Sequence, residues 1–275
     1  MKTQHMKTPM NLNKTNRFVT AISCGVFAAG LLCGSTLKAD VNARGSDSTL
    51  HVLKALAAAY EADSGKKVNL QGGGSGAGAK SLEAGEVTLA FLSRELNDAE
   101  KAAGLAGKAY ALDGVAVIVH KDNPTANVSL AELKDLFTGK TTAWSDGKPV
   151  VLFNRNTDSG TREVFQEKVL GKDVAFSPTA AIKHDGVLVS SVSKISTSVA
   201  YASLAEADET QVKILTVNGI KPSAATLKDK TYPIGRTPTL ATKGEAAGDE
   251  KAFIDFVLSA KGQAVVAKEG LVPIQ

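Results

Sequence analysis

Three stretches set small hydroxyl side chains and glycine just ahead of a helical pattern: GSDST (45–49), GGGSG (72–76) and RNTDSGT (155–161). The first amides of a helix have no partner inside it and carry the positive end of its dipole. Glycine lets an anion come close to such a backbone, and Ser or Thr hydroxyls add donors. Three such starts meeting at one point would make an anion pocket built largely of neutral dipoles. Arg155 and Arg94 would supply charge and bidentate geometry. Any one loop alone reads equally as an ordinary helix N-cap.

Other chemistries fit less well. GSGAGAKS (74–81) nearly matches the phosphate loop of nucleoside triphosphatases, but Ala79 stands where glycine is needed, and VTLAFL (87–92) ends without the aspartate that would hold magnesium. The dinucleotide pattern fits at Gly74, Gly76 and Ala79, yet this is not the first βα turn, and no acidic residue closes a strand about 20 residues on. Ser75, Ser93 and Ser159 have no histidine partner in the sequence pattern, and His51, His120 and His184 are scattered rather than paired at metal-ligand spacing. The sequence therefore argues against an enzyme, a resident metal and a cofactor, although a spatial pairing with His184 stays open.

The elements that would hold these loops alternate in type. Residues 50–60 (LHVLKALAAAY) carry apolar residues at helical spacing, 68–70 read as a short strand, 77–84 as a helix and 87–92 as a buried strand. This βαβ rhythm predicts an open α/β sheet with parallel strands. GVAVIVH (114–120) is a β-branched run that ends at the breaker KDNP (121–124), where a second module begins. Ser129 and Glu132 form a capping box for a helix over 130–137. Strands follow at 150–153, 198–201 and 212–217, with helices at 161–170 and 186–192. The segment YPIGRTPTL (232–240) is extended and crosses back, and 250–268 is helical.

Residues 1–39 read as an export leader. Lys2, Lys7, Lys14 and Arg17 precede an apolar stretch over 18–32 that is too short to span a membrane, and Ala39 suits cleavage. Lipid attachment at Cys33 is the less favoured alternative, because Leu32 before it is bulky. The chain has 32 basic and 28 acidic residues. Five basic and no acidic ones lie in the leader, which leaves 27 against 28 and a net charge of −1. The basic balance thus belongs to the leader and gives no support for a nucleic-acid partner. Both cysteines, Cys24 and Cys33, also lie there, so the remainder carries no thiol, as suits an oxidising compartment.

Nine segments carry a resemblance: GSDST (45–49), QGGGSGAGAK (71–80), FLSRELNDAE (91–100), DGVAVIVHKDNP (113–124), SLAELKDLFTGKTTAWSDG (129–147), RNTDSGTRE (155–163), VAYAS (199–203), YPIGR (232–236) and FIDFVLSAKGQAVVAKEGLVPI (253–274). In this order, over residues 40–275, they resemble the phosphate-binding component of bacterial high-affinity phosphate ABC importers, in the type II periplasmic binding protein superfamily. The resemblance implies an α/β fold of two lobes joined by two crossover strands. Lobe one would cover 40–114 and 236–275, and lobe two 115–235. It implies a monomeric periplasmic protein that captures inorganic phosphate in the cleft and delivers it to a membrane permease.

Residue by residue, the resemblance implies contacts from Ser48 or Thr49 and the Leu50 amide, from Ser75, and from Arg155, Ser159, Gly160 and Thr161. Ser93 and Arg94 stand where some members carry an aspartate that accepts the proton of hydrogen phosphate. The acceptor would then be Asp47, Asp158 or Asp185, with Asp158, inside the third loop, preferred. Sulfate or molybdate binding, a phosphatase-like activity, or a ligand-free extracellular module are the alternatives.

Overall fold

The computed structural model describes residues 41–179 and 181–274. The expected leader, its cleavage after Ala39 and the lipidation alternative at Cys33 lie outside the described residues.

The chain opens with strand β1 (Val41–Gly45), a 3₁₀ turn (Asp47–Thr49) and helix α1 (Leu50–Ser64). Strand β2 (Val68–Gln71), helix α2 (Ser75–Glu83), strand β3 (Leu89–Leu92), helix α3 (Asp98–Ala102) and strand β4 (Leu105–Ala109) follow. Then come β5 (Asp113–His120), β6 (Asn127–Val128), α4 (Leu130–Phe137), β7 (Val151–Leu152), β8 (Asn154–Arg155) and α5 (Gly160–Phe165). The middle of the chain ends with β9 (Ala181–Ile182), α6 (Asp185–Val192), β10 (Ser198–Ser203), β11 (Val212–Ile214), β12 (Thr216–Val217) and α7 (Ala224–Lys228). The last elements are β13 (Gly235–Arg236), β14 (Thr239–Lys243), α8 (Gly248–Leu258) and α9 (Ala260–Lys268).

Two five-stranded sheets organise these elements. The first has the order β2-β1-β3-β14-β4, and the second runs β11-β5-β10-β7 with β13 also paired to β5. The chain passes between the sheets twice, from β4 into β5 and from β13 into β14. Where it crosses, Arg236 and Asp113 lie opposite each other in the antiparallel β13–β5 pair.

Both sheets bury both faces, so their central strands read as continuous apolar runs. Along β5, Val115, Val117 and Val119 enter one core with α4 and α5, while Ala116 and Ile118 enter another beneath α6. Along β3, Leu89 and Phe91 pack with α1, α8 and α9, whereas Ala90 and Leu92 pack with α2. This is the period-two alternation of a strand.

The expectation of an open sheet with parallel strands holds only in part, because both sheets are mixed. β1 is parallel to β2 and β3, but β14 is antiparallel to β3 and β4. In the second sheet β5 is antiparallel to both β10 and β11. A strand that enters from the other sheet need not share the direction of the local βα units. The helix expected over 161–170 is also divided, with regular turns ending at Phe165 and a wider π-type turn over Gln166–Leu170.

His51 ties three distant segments together. Its Nδ1 lies 2.7 Å from a Glu206 carboxylate oxygen, and its Nε2 lies 3.2 Å from the Glu269 carbonyl. Burial pushes the imidazole pKa down, but the hydrogen bond and charge of Glu206, with the carbonyl and charge of Glu269, outweigh it and raise the pKa. A raised histidine stabilises the fold below its unfolded-state pKa, and this contribution is lost as pH rises through the folded value. Thermal melts across neutral pH should therefore show wild-type protein losing an advantage over His51→Gln as the solution turns alkaline. The difference should be about 2–4 °C for a tie worth about 1 kcal/mol. Superimposable pH profiles would show that the tie contributes nothing.

Candidate anion-binding site

The three hydroxyl loops meet between the two sheets. Ser46 caps the 3₁₀ turn by accepting from the Ser48 amide at 3.2 Å, which places Ser48 at the seam. Ser159 caps α5 and accepts from the Arg162 amide at 3.3 Å. Gly74 is the N-cap residue just before α2, with φ at 104°, a conformation that favours glycine. A side chain there would also strike the Asp158 carbonyl, at 2.3 Å. That carbonyl accepts from the Gly76 amide at 3.1 Å, so backbone joins backbone across the seam.

Two hydroxyl groupings result. Ser48 Oγ lies 2.8 Å from Thr161 Oγ1, and both residues are buried. Ser75 Oγ accepts from the Ser93 amide at 3.1 Å and lies 3.3 Å from Ser93 Oγ. Gly160 packs against this second pair: a Cβ placed there would stand 2.3 Å from Ser75 Oγ and 2.6 Å from Ser93 Oγ.

Arg155 is only 1% exposed, and the surrounding chain holds all three of its nitrogens. Nε donates to the Ile182 carbonyl at 3.1 Å and Nη2 to the Lys183 carbonyl at 2.6 Å. Nη1 pairs with Asp185 at 2.5 Å and reaches Ser48 Oγ at 3.4 Å. Its backbone is fixed as well. Asn154 Oδ1 accepts from the Arg155 amide and from the Tyr201 hydroxyl, and Tyr201 stacks on Phe165 at 4.0 Å. Arg162 donates to the Arg155 carbonyl at 2.8 Å.

Several expected site residues are turned elsewhere. Arg94 gives both terminal nitrogens to Glu100 at 2.8 Å and its Nε to Glu163. It is a tie between the sheets, with its charge matched by these two carboxylates. Glu163 in that tie has its pKa raised by burial, which the Arg94 charge only partly offsets. The Asp158 carboxylate is 42% exposed and sits 3.8 Å from Lys80, so a buried proton acceptor is not what its side chain provides. The Leu50 amide already closes the 3₁₀ turn on the Asp47 carbonyl. The Thr49 hydroxyl faces Tyr110, inside the first core.

Of the other two carboxylates considered, Asp185 holds Arg155, and Asp47 accepts from the Gly73 amide at 3.0 Å. Each has its second oxygen buried without a hydrogen bond. His184 Nδ1 lies 3.8 Å from Asp47, outside hydrogen-bond reach.

One pair escaped the sequence reading. Arg236 Nη1 donates to Thr161 Oγ1 at 2.7 Å, while its Nε and Nη2 hold Asp113 at 2.9 and 2.6 Å. The signal was faint: a charged residue opens an otherwise apolar strand, and its partner lies 123 positions away.

Residues 34–261 match a PBP superfamily domain. The phosphate-binding protein PstS of Bacillus subtilis is 30% identical over 234 residues, which cover 81% of this chain and 76% of that protein. The Staphylococcus aureus protein of the same name, from strain MRSA252, is 29% identical over 260 residues, 86% of this chain and 78% of that protein. Among solved structures, a Clostridium perfringens protein with bound phosphate, assigned as a phosphate ABC transporter substrate-binding protein, superposes with a TM-score of 0.82 at 32% identity. That match covers 86% of this chain and 100% of the other. A Vibrio cholerae phosphate transport receptor shares the fold, with a TM-score of 0.74 at 24% identity over 84% of this chain and 99% of the other. The two-lobed α/β fold, the superfamily domain over most of its length and the 30% identical relative together place this chain: it belongs to the PBP superfamily, in the family of phosphate ABC importer binding proteins.

Proposed function

We propose that this protein captures inorganic phosphate between its two sheets and presents it to the permease of an ABC importer, as a binding protein and not an enzyme. The observation that carries this reading is the burial of Ser48, Ser75, Ser93, Arg155 and Thr161, with Gly160, at one seam fed by both sheets. Donors from both sides favour the arrangement in which the sheets meet, so ligand shifts the population toward it. ATP would be spent by a separate subunit. Residues 40–114 with 236–275, and 115–235, are the two lobes of this reading, and the protein acts outside the cytoplasm as a monomer. Among the described residues no helix is long and apolar enough to cross a membrane.

Calorimetric titration of residues 40–275 with phosphate, arsenate, sulfate and molybdate tests the reading. Phosphate should bind tightest, and the absence of any phosphate heat or melting shift would end it. Phosphate at neutral pH keeps a proton that sulfate lacks, so a buried carboxylate acceptor favours phosphate. In this reading Asp47 or Asp185 supplies it, each with one buried oxygen free. Asp158→Asn should then leave the phosphate-to-sulfate affinity ratio within about twofold, because an exposed carboxylate interacts weakly. A collapse of that ratio would return the role to Asp158.

A further inference from the structure

We infer that Arg236 and Asp113, where the two crossover strands pair, are positioning residues that set the Thr161 hydroxyl to donate into the anion site. This rests on the phosphate reading above. Every oxygen of Asp113 is committed. Oδ1 accepts from the Gly114 amide at 2.7 Å, and Oδ2 accepts from Ser203 Oγ at 2.7 Å and from Arg236. The carboxylate therefore fixes the guanidinium plane, and the third nitrogen, Nη1, points at Thr161 Oγ1.

A guanidinium can only donate. Thr161 Oγ1 must then act as acceptor toward Arg236, and its own proton remains to be offered, to Ser48 Oγ or, when an anion enters between the two hydroxyls, to the anion. The positive charge beside the oxygen also disfavours accepting a second proton from a ligand. Arg155 stands in the same relation to Ser48 across the seam, at 3.4 Å. The two facing hydroxyls are each backed by a guanidinium, and each guanidinium is neutralised by a buried aspartate. The site as a whole thus presents donor protons without a net buried charge, which suits an acceptor-only oxygen. Because Arg236 and Asp113 lie on the crossover strands themselves, the hydroxyl is set only when those strands are in this register.

A double-mutant cycle in phosphate affinity tests this. Arg236→Lys keeps the charge next to Asp113 but cannot also reach Thr161 in a fixed fork. It should weaken phosphate binding about tenfold in the wild-type background. In a Thr161→Val background the same change should cost less than about twofold, since the hydroxyl it acts through is gone. Equal losses in both backgrounds would overturn the inference and leave the phosphate reading intact. Wild-type protein that binds no phosphate would bring down both. Ligand-free melting curves report folding, which a purely structural role would affect without coupling to Thr161. If Arg236→Lys does not fold, Asp113→Asn loosens the same guanidinium and takes its place in the cycle with the same two outcomes.

Discussion

Arg155→Ala is expected to lower phosphate affinity about a thousandfold, corresponding to about 4 kcal/mol, and to lower the melting temperature as well. The two effects have different origins. Arg155 is buried, and removing it strands the Asp185 carboxylate and the Ile182 and Lys183 carbonyls. Stranding a buried charge destabilises the fold whether or not an anion binds. The binding loss comes instead from removing the cation that backs Ser48. Adding Asp185→Asn to Arg155→Ala should restore much of the melting temperature, because a neutral amide replaces the stranded charge. It should not restore affinity. Calorimetry that finds near-wild-type phosphate binding in either variant would remove Arg155 from the site.

The parts of this site that the sequence reveals are the local ones. Ser48 and Ser159 precede helices and Ser75 opens one, and capping signals act over three or four residues. Arg155 stands four residues before the Ser159–Thr161 step, so one loop carries both charge and donors. The apolar alternation of β3 and β5 is equally local. Non-local features are hidden. Arg94 resembles a ligand-binding cation in sequence, yet one of its carboxylate partners lies 6 residues away and the other comes from the opposite side of the seam. The nearer partner did leave a trace, since Glu100 closes a capping box with Asn97 and so faces back toward Arg94. Which way Asp158 turns depends on Lys80 and Gly76, and no spacing rule contains that. Strand direction is hidden for a similar reason. An apolar run has the same period in parallel and antiparallel sheets, so β5 could be recognised as buried but not oriented.

Gly160→Ala should separate folding from binding most sharply. Gly160 is the first residue of α5 and lies outside the left-handed region, so alanine is acceptable to its backbone and is the better helix former. Each half of the molecule should therefore fold as well as before, with an unliganded melting temperature equal to wild type or slightly higher. The added methyl would meet Ser75 Oγ at 2.3 Å, Ser93 Oγ at 2.6 Å and Ser75 Cβ at 2.9 Å. Ordinary contact needs about 3.5–4.0 Å, so the seam must open by about 1 Å. That opening splits the Ser48–Thr161 pair and moves Ser48, Ser75 and Ser93 away from Arg155 and Thr161. A misplacement of this size is expected to cost about a hundredfold in phosphate affinity and to abolish the phosphate-dependent melting shift. Gly186→Ala is the control, since a methyl there meets nothing within 4 Å. Wild-type affinity in Gly160→Ala would mean that phosphate is held with the seam apart. The close approach of Gly160 to Ser75 and Ser93 would then not be the arrangement that binds.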